Sequence, residues 1–278
     1  MSNENSIAYL NFLIRTYKSL TDMIVSTKNR LQALPGDHPM KYDRILHGEE
    51  KEDGLETIKG RTSRLILKEL PNWPVWDLWL VNIPGIGPVI GAELIMLYYY
   101  KYIPVCKDCV TTLEKKDGEL WCSTCEKSVK GEGNLNYVLQ GKDFSNISKW
   151  WAYMGRDISN GAMRKRKKGE PSNWSAAGRK LGFMIGESFN KMKAEHLYKS
   201  VLLSEKAKYE KTQPEISKGW RHNKAKNNMV KLFLAHFWTV ARMLDGKDVT
   251  EPYAMTIMGH TGYIKPFYFE DEKIEKAA

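Results

Sequence analysis

The sequence predicts a mainly α-helical fold interrupted by one small β-hairpin module. Three observations predict it. Apolar residues recur at three- and four-residue steps near both ends of the chain, the period of amphipathic helices. Prolines and glycines sit between these runs, as helix stops and turns do. All four cysteines fall within twenty residues, Cys106 to Cys125, which marks one compact insertion.

Residues 5–34 read as a long amphipathic helix, with Leu10, Leu13, Tyr17, Leu20, Ile24 and Leu31 along one side. The stretch 34–54 holds Pro35, Gly36, Pro39 and many charges and reads as an exposed loop. A helix over 55–70 stops at Pro71 and Pro74. A helix over 75–82, a tight turn and a helix over 88–100 follow, then the cysteine module over 104–133. Ser145 can cap a helix ending at Gly155, and Ser172 a long helix reaching the 190s. The charged stretch 206–219, with Pro214, reads as a linker. A last helix over 220–244 carries Val230, Leu234, Phe237, Trp238, Ala241 and Leu244 on its apolar side. The tail after Gly246 reads as irregular. Four regions result: 1–72, 73–103, 104–133 and 134–278.

Apolar residues make up 42% of the chain and charged residues 27%, which fits a globular protein rather than a disordered one. The net charge of +10 favours a polyanionic partner. The first residues lack the basic and apolar regions of a signal peptide. The apolar stretch Val81–Tyr100 contains Pro84, Gly85, Gly87, Pro88 and Gly91, which would leave backbone groups unpaired in lipid. A cytoplasmic protein without a membrane partner is expected.

Cys106-Lys-Asp-Cys109 and Cys122-Ser-Thr-Cys125 are two CxxC knuckles separated by twelve residues. Each turns two thiolates inward, and together they complete the tetrahedral sulfur shell that suits zinc. The connecting segment has strand-like ends around Asp117-Gly118, a dipeptide that favours a tight hairpin turn. Knuckle, hairpin and knuckle describe a zinc ribbon. Four cysteine ligands leave no position open for a catalytic water, so the zinc is expected to be structural.

Ile83-Pro-Gly-Ile-Gly-Pro88, followed by Val89-Ile-Gly-Ala92, fits a helix-hairpin-helix. Gly85 and Gly87 permit a tight turn, Ile86 plugs the core beneath it, and Gly91 lets two helices approach. Such a turn presents backbone N–H groups at a helix N-terminus, where a phosphate binds. Downstream, Arg164, Lys165, Arg166, Lys167 and Lys168 form a run of five cations between Gly161 and Gly169. A run of this kind adds salt-dependent, sequence-independent affinity for nucleic acid. Trp150 and Trp151, just before it, read as core residues. The expected fold class is therefore mainly α: a helix-hairpin-helix-containing helical domain with an inserted zinc-ribbon β-hairpin and a long N-terminal helix.

The order of segments carries more information than any one of them. IPGIGPVIGAELI, then DFSNISKWWAYMGRDISNGAMRKRKKG, WSAAGRKLGFMIGESFNK and KAKNNMVKLFLAHFWTVARMLDGKDVTEPY resemble the C-terminal half of the DEDD-type insertion-sequence transposases, the IS one-ten, IS one-sixteen and IS nine-oh-two family. The segment PYAMTIMGHTGYIKPF looks like that of small stand-alone relatives from archaea and mobile elements. The resemblance spans residues 73–266 apart from the cysteine insertion. It implies binding to duplex or branched DNA and a part in DNA transposition or recombination. Full-length members pair a nuclease-like domain bearing four acidic residues with a C-terminal serine that attacks DNA. The matching serine here is Ser159, one residue further from its glycine than in the family pattern, with Arg156, Arg164 and Arg166 as nearby charge. No general base is evident, and the first seventy residues read as helical, without strands bearing an acidic tetrad. The sequence therefore leaves open whether this chain is an enzyme.

Other readings stay open. Met258-Gly-His260 followed by Tyr268 is reminiscent of a tyrosine recombinase, but His236 and Arg242 are six apart on one helix and do not share a face well. An RNA-binding zinc-ribbon protein is compatible with the charge. So is a non-catalytic accessory or scaffolding protein that self-associates through its N-terminal helix.

Overall fold

The computed structural model describes residues 4–36, 43–116, 118–130, 135–159, 162–165, 172, 174–249 and 264–269. Among them the chain is mainly helical, with small sheets. It divides into two compact units: residues 1–94 with 145–278, and residues 95–144.

The larger unit begins with α1 (Glu4–Gln32), which packs on α3 (Leu55–Glu69). Leu10, Leu13, Leu20 and Ile24 of α1 are buried, as their spacing predicts. The end of the expected loop is ordered instead: α2 (Arg44–His47) is capped by Asp43, and β1 (Gly48–Glu49) pairs with β2 (Glu52–Asp53). Gly48 and Gly54 permit this, because a Cβ on either would meet backbone at 2.1–2.2 Å. After α3, α4 spans only Pro74–Asp77, and a separate 3-10 turn covers Leu80–Asn82. One continuous helix over 75–82 was expected. Trp79 breaks it, with φ −137°, while its ring stacks on Phe233 at 5.9 Å.

The helix α5 (Pro88–Tyr99) carries Glu93, the lone charge of the apolar stretch. Glu93 is buried and pairs with Lys18 of α1 at 2.9 Å. Helix α6 (Ile147–Tyr153) is capped by Asn146, not Ser145, through a bond from the Lys149 amide. Helix α7 (Ala176–Asn190) is capped by Ser175 rather than Ser172. Ser172 closes its own turn with Trp174. Between α6 and α7, β8 (Ile158–Ser159) pairs with β9 (Ala162–Met163).

Helix α8 (Leu197–Thr212) absorbs half of the stretch expected to be a linker. Its charged turns are held by α9 (Lys218–Leu244): Asn228 donates to Glu205 and to the Tyr209 hydroxyl at 2.6 and 2.8 Å. Helix α9 is the centre of the unit. Met229, Val230, Phe233, Leu234 and Phe237 are fully buried, and α4, α6, α7 and α8 all pack on it.

Buried within that core, His236 has ring hydrogen bonds that fix its tautomer, and the Phe267 amide adds a long one to Nδ1 at 3.5 Å. Its Nε2 lies 3.0 Å from the Ile264 carbonyl, which can only accept, so Nε2 carries the proton. Nδ1 then accepts from the Tyr198 hydroxyl at 2.9 Å. Segment 264–269 is further held by Trp79, whose indole donates to the Phe267 carbonyl at 2.7 Å. The Tyr268 hydroxyl accepts from the Leu197 amide. His260 lies outside the described residues.

The smaller unit holds a two-stranded ribbon of β3 (Tyr100–Cys106) and β7 (Leu135–Gly141), antiparallel from Tyr100↔Gly141 to Cys106↔Leu135. At its end lies a three-stranded sheet of β4 (Glu114–Lys116), β5 (Glu119–Cys122) and β6 (Lys127–Ser128). Lys116 pairs with Glu119, and Gly118 has φ +84°. That is the tight turn expected at this point, although Asp117 lies outside the described residues. No described helix is long and apolar enough to cross a membrane.

Burial holds the His236 imidazole down to about 4, and its bond to Ile264 opposes this only weakly. An unfolded chain takes up that proton near pH ~6.5. Between these values the unfolded state binds the proton and the folded state does not, so stability is complete above the upper value and falls as the pH drops toward the lower one. At about 1.4 kcal/mol per unit the loss from His236 is roughly 3 kcal/mol. Urea unfolding at pH 7 and 4.5 should show it. His236→Gln should be less stable at pH 7 but lose less between the two; equal losses would contradict the assignment.

Candidate metal centre and nucleic-acid interface

The smaller unit brings the four cysteines together. Their Sγ atoms all lie within 4.8 Å of one another, with Cys106 to Cys125 at 3.8 Å and Cys109 to Cys122 at 3.4 Å. Four sulfurs about 2.3 Å from a central zinc are roughly 3.8 Å apart, so the cluster fits a metal ion such as zinc. None of the four forms a disulfide. The two knuckles close through different bonds. The Val110 amide donates to the Cys106 carbonyl at 2.9 Å, and the Cys125 amide to the Cys122 sulfur at 3.4 Å. Each knuckle ends on a residue in the left-handed region, Val110 at φ +57° and Glu126 at φ +51°. That conformation is costly for a β-branched side chain such as Val110, and it turns the chain sharply after the second cysteine of each knuckle. The hydroxyls of Thr111 and Thr124 join the knuckles at 2.9 Å. Beneath them Leu113 and Val129 form a small apolar core with the cysteines.

The thiols interact strongly. Hydrogen bonds from the Thr111 side chain and amide bring Cys109 down to about 6. The adjoining sulfurs of Cys109 and Cys122 push Cys125 up to about 12. Several thiolates so close together repel, and a divalent cation removes that repulsion by sitting among them.

In the larger unit, Gly85 has φ +91° and Ile86 is buried beneath the turn, while Gly87 is exposed. The turn is clamped from below. Ser188 of α7 donates to the Gly85 carbonyl at 2.6 Å, and His196, the cap of α8, donates from Nε2 to the Pro84 carbonyl at 3.0 Å. A Cβ on Gly87 meets nothing within 4 Å, whereas one on Gly91 would sit 2.3 Å from the Trp76 ring. Gly91 therefore lets α5 lie against Trp76, as the sequence predicts.

Of the basic run, Arg164 and Lys165 are described, and Arg166, Lys167 and Lys168 lie outside the described residues. Arg164 is engaged: its Nε pairs with Asp157 at 2.7 Å, and its carbonyl accepts from Arg179 at 2.6 Å. Ser159 sits in β8, paired with Ala162. Arg156 points away into the protein, toward Asn227 of α9 and the Arg179 carbonyl of α7. Trp150 is fully buried, as expected of a core residue.

Around the glycine turn and Ser159, sequence reasoning missed two features. One is the clamp of Ser188 and His196 on the glycine turn, which no local pattern announces. The other is the pairing of Arg156 with Gly182: a Cβ there would lie 2.7 Å from the guanidinium. Its only signal is glycine at every fourth position of α7, at Gly178, Gly182 and Gly186. Comparison with protein-family models, with curated proteins and with solved structures finds no match to this chain.

Two outcomes follow from this geometry. Zinc analysis should find about one ion per chain, as a four-cysteine site requires. Cys106→Ser should lose most of it and speed amide exchange in β4–β6; full zinc retention would exclude Cys106 as a ligand. Gly91→Ala should destabilise by about 1–3 kcal/mol, because the clash with Trp76 outweighs the roughly 1 kcal/mol of helix propensity gained. An unchanged melting temperature would contradict the close approach.

Proposed function

We propose that this chain is a DNA-binding protein of the transposase type, acting on duplex or branched DNA in transposition or recombination. In this reading residues 73–103 are a helix-hairpin-helix that grips phosphate, residues 104–133 are a zinc ribbon with a structural metal, and Arg164–Lys168 add electrostatic affinity. The resemblance of residues 73–266 to the insertion-sequence transposases supplies the target class. The observation that carries the binding mode is the clamped glycine turn. The Pro84 and Gly85 carbonyls are taken by His196 and Ser188, and Ile86 is anchored in the core. The turn is thus held with its exposed side at the start of α5, where Pro88 has no N–H, Gly91 bonds back to Gly87, and the amides of Val89 and Ile90 have no partner within the helix. Such amides suit a phosphate oxygen, and backbone contacts of this kind position a protein without reading sequence.

The test is a salt titration of binding to labelled duplex, branched and single-stranded DNA and to matched RNA. Each phosphate neutralised contributes a slope of about −0.9 in log K against log salt on duplex DNA. Duplex or branched DNA should bind best, with a slope of several such increments. Gly87→Val should fold, since a Cβ there meets nothing within 4 Å, and weaken that binding about tenfold, the order expected for one charge-assisted contact. Preference for RNA favours the RNA-binding alternative. No binding to any of them favours an accessory or scaffolding role.

A further inference from the structure

The larger unit holds a cationic cavity that neither the glycine turn nor the basic run accounts for. Its volume is about 660 Å³, within the ~300–1,000 Å³ typical of small-molecule sites. Residues from the segment after α6, from α7 and from α9 line it, Arg156, Arg179, Lys180 and Lys226 among them.

Arg156 is the anomaly. It is only 7% exposed, and it makes two long hydrogen bonds of 3.3 Å, to the Asn227 side chain and the Arg179 carbonyl. Its Nε has no partner, and no carboxylate pairs with it among the described residues. Burial and the adjacent Arg179 charge lower its pKa to about 10, so it stays charged at neutral pH. A buried cation without a counter-ion is costly, and proteins ordinarily pair it. Of the nearby acids, Asp157 gives its Oδ2 to Arg164 at 2.7 Å and has its Oδ1 buried without a partner, and Glu187 pairs with Lys226; neither pairs with Arg156. Gly182 leaves the space that the guanidinium fills. A buried cation thus stands at the wall of a cavity, with no carboxylate paired to it among the described residues.

The same cavity is lined by two aromatic rings. Arg179 lies over Trp174 at 4.7 Å, and Lys226 lies over Phe183 at 5.1 Å. Phe183 is 56% exposed, so its ring is accessible to a ligand in the cavity. Cations beside stacking surfaces are what a phosphate attached to a flat base requires.

We propose that this cavity is a nucleotide pocket, in which Arg156 and Arg179 take the phosphate and Phe183 and Trp174 flank the base. The nucleotide is either free or the end of a DNA strand. The pocket does not depend on duplex binding by the glycine turn.

Calorimetric titration of the full chain with 5′-dAMP and with inorganic phosphate, at constant ionic strength, tests it. The 5′-dAMP should bind about tenfold or more tightly than phosphate, the factor expected from stacking one base. Phe183→Ala should remove that advantage and leave phosphate binding unchanged. Arg179→Gln should weaken both ligands. Both side chains reach the surface, so the variants should fold, and circular dichroism checks this. Absence of saturable 5′-dAMP binding, or binding that neither variant alters, overturns the proposal. A 5′-phosphorylated oligonucleotide that outcompetes both 5′-dAMP and its 5′-hydroxyl form places the source at a strand end; equal competition places it in free nucleotide. Gly87→Val is the control. It should weaken duplex binding and leave 5′-dAMP binding intact. In the unaltered chain, absence of duplex binding with 5′-dAMP still bound overturns the function proposed above, and absence of 5′-dAMP binding with duplex still bound overturns this one.

Discussion

The larger unit depends on one constraint: α9 must be surrounded by apolar surface on nearly every side. Its run from Met229 to Ala241 contains a fully buried residue in each turn, and a helix of that kind is stable only when neighbours cover it. Four elements do so with large rings. Trp79 stacks on Phe233, Trp150 meets Phe237, and Phe189 and Tyr198 close on Phe233 from α7 and α8. Each fully buried ring or aliphatic side chain contributes on the order of 1.5–3 kcal/mol, so this layer dominates the packing.

The candidate sites follow from that layer. Phe189 and Tyr198 stack at 4.7 Å, which fixes the corner between α7 and α8. Ser188 and His196 flank this stacked pair and reach the two carbonyls of the glycine turn. The turn is therefore held by the core and not by its own residues alone. On another side of α7, Gly182 accepts Arg156 and Gly186 accepts Val230 and Lys226. One helix face thus brings α9 close and houses a buried charge. The smaller unit works differently. Its apolar core is four residues and their neighbours, and such a core is too small to hold two strained knuckles without help. A metal ion held by the four thiols would supply folding energy, as metals do in modules of this size.

Features set by neighbouring residues were legible in the sequence. The CxxC spacing predicted the sulfur cluster because each knuckle is local. The steps of Leu10, Leu13, Leu20 and Ile24 predicted the buried side of α1 for the same reason. The caps were displaced by one to three residues because Ser145 and Asn146, and Ser172 and Ser175, offer equivalent oxygens. Only the tertiary fold chooses between them. The helical half of 206–219 was read as a linker because its charges and Pro214 dominate the local pattern, whereas Asn228 on α9 holds it helical. The β3–β7 ribbon was missed because its strands pair across the whole cysteine module. Arg156 was legible as a charge near Ser159 and not as a buried one, since its burial depends on a glycine 26 positions away.

The central claim, that the clamped glycine turn grips nucleic acid, is tested most directly by photo-crosslinking. Duplex DNA carrying photoreactive phosphate-proximal groups would be irradiated with the full chain and the adducts mapped by mass spectrometry. The account predicts adducts at Pro84–Ile90 and at Arg164–Lys165, suppressed by excess unlabelled DNA and by high salt. Adducts confined to the cysteine module, or none suppressed by competitor, would contradict it.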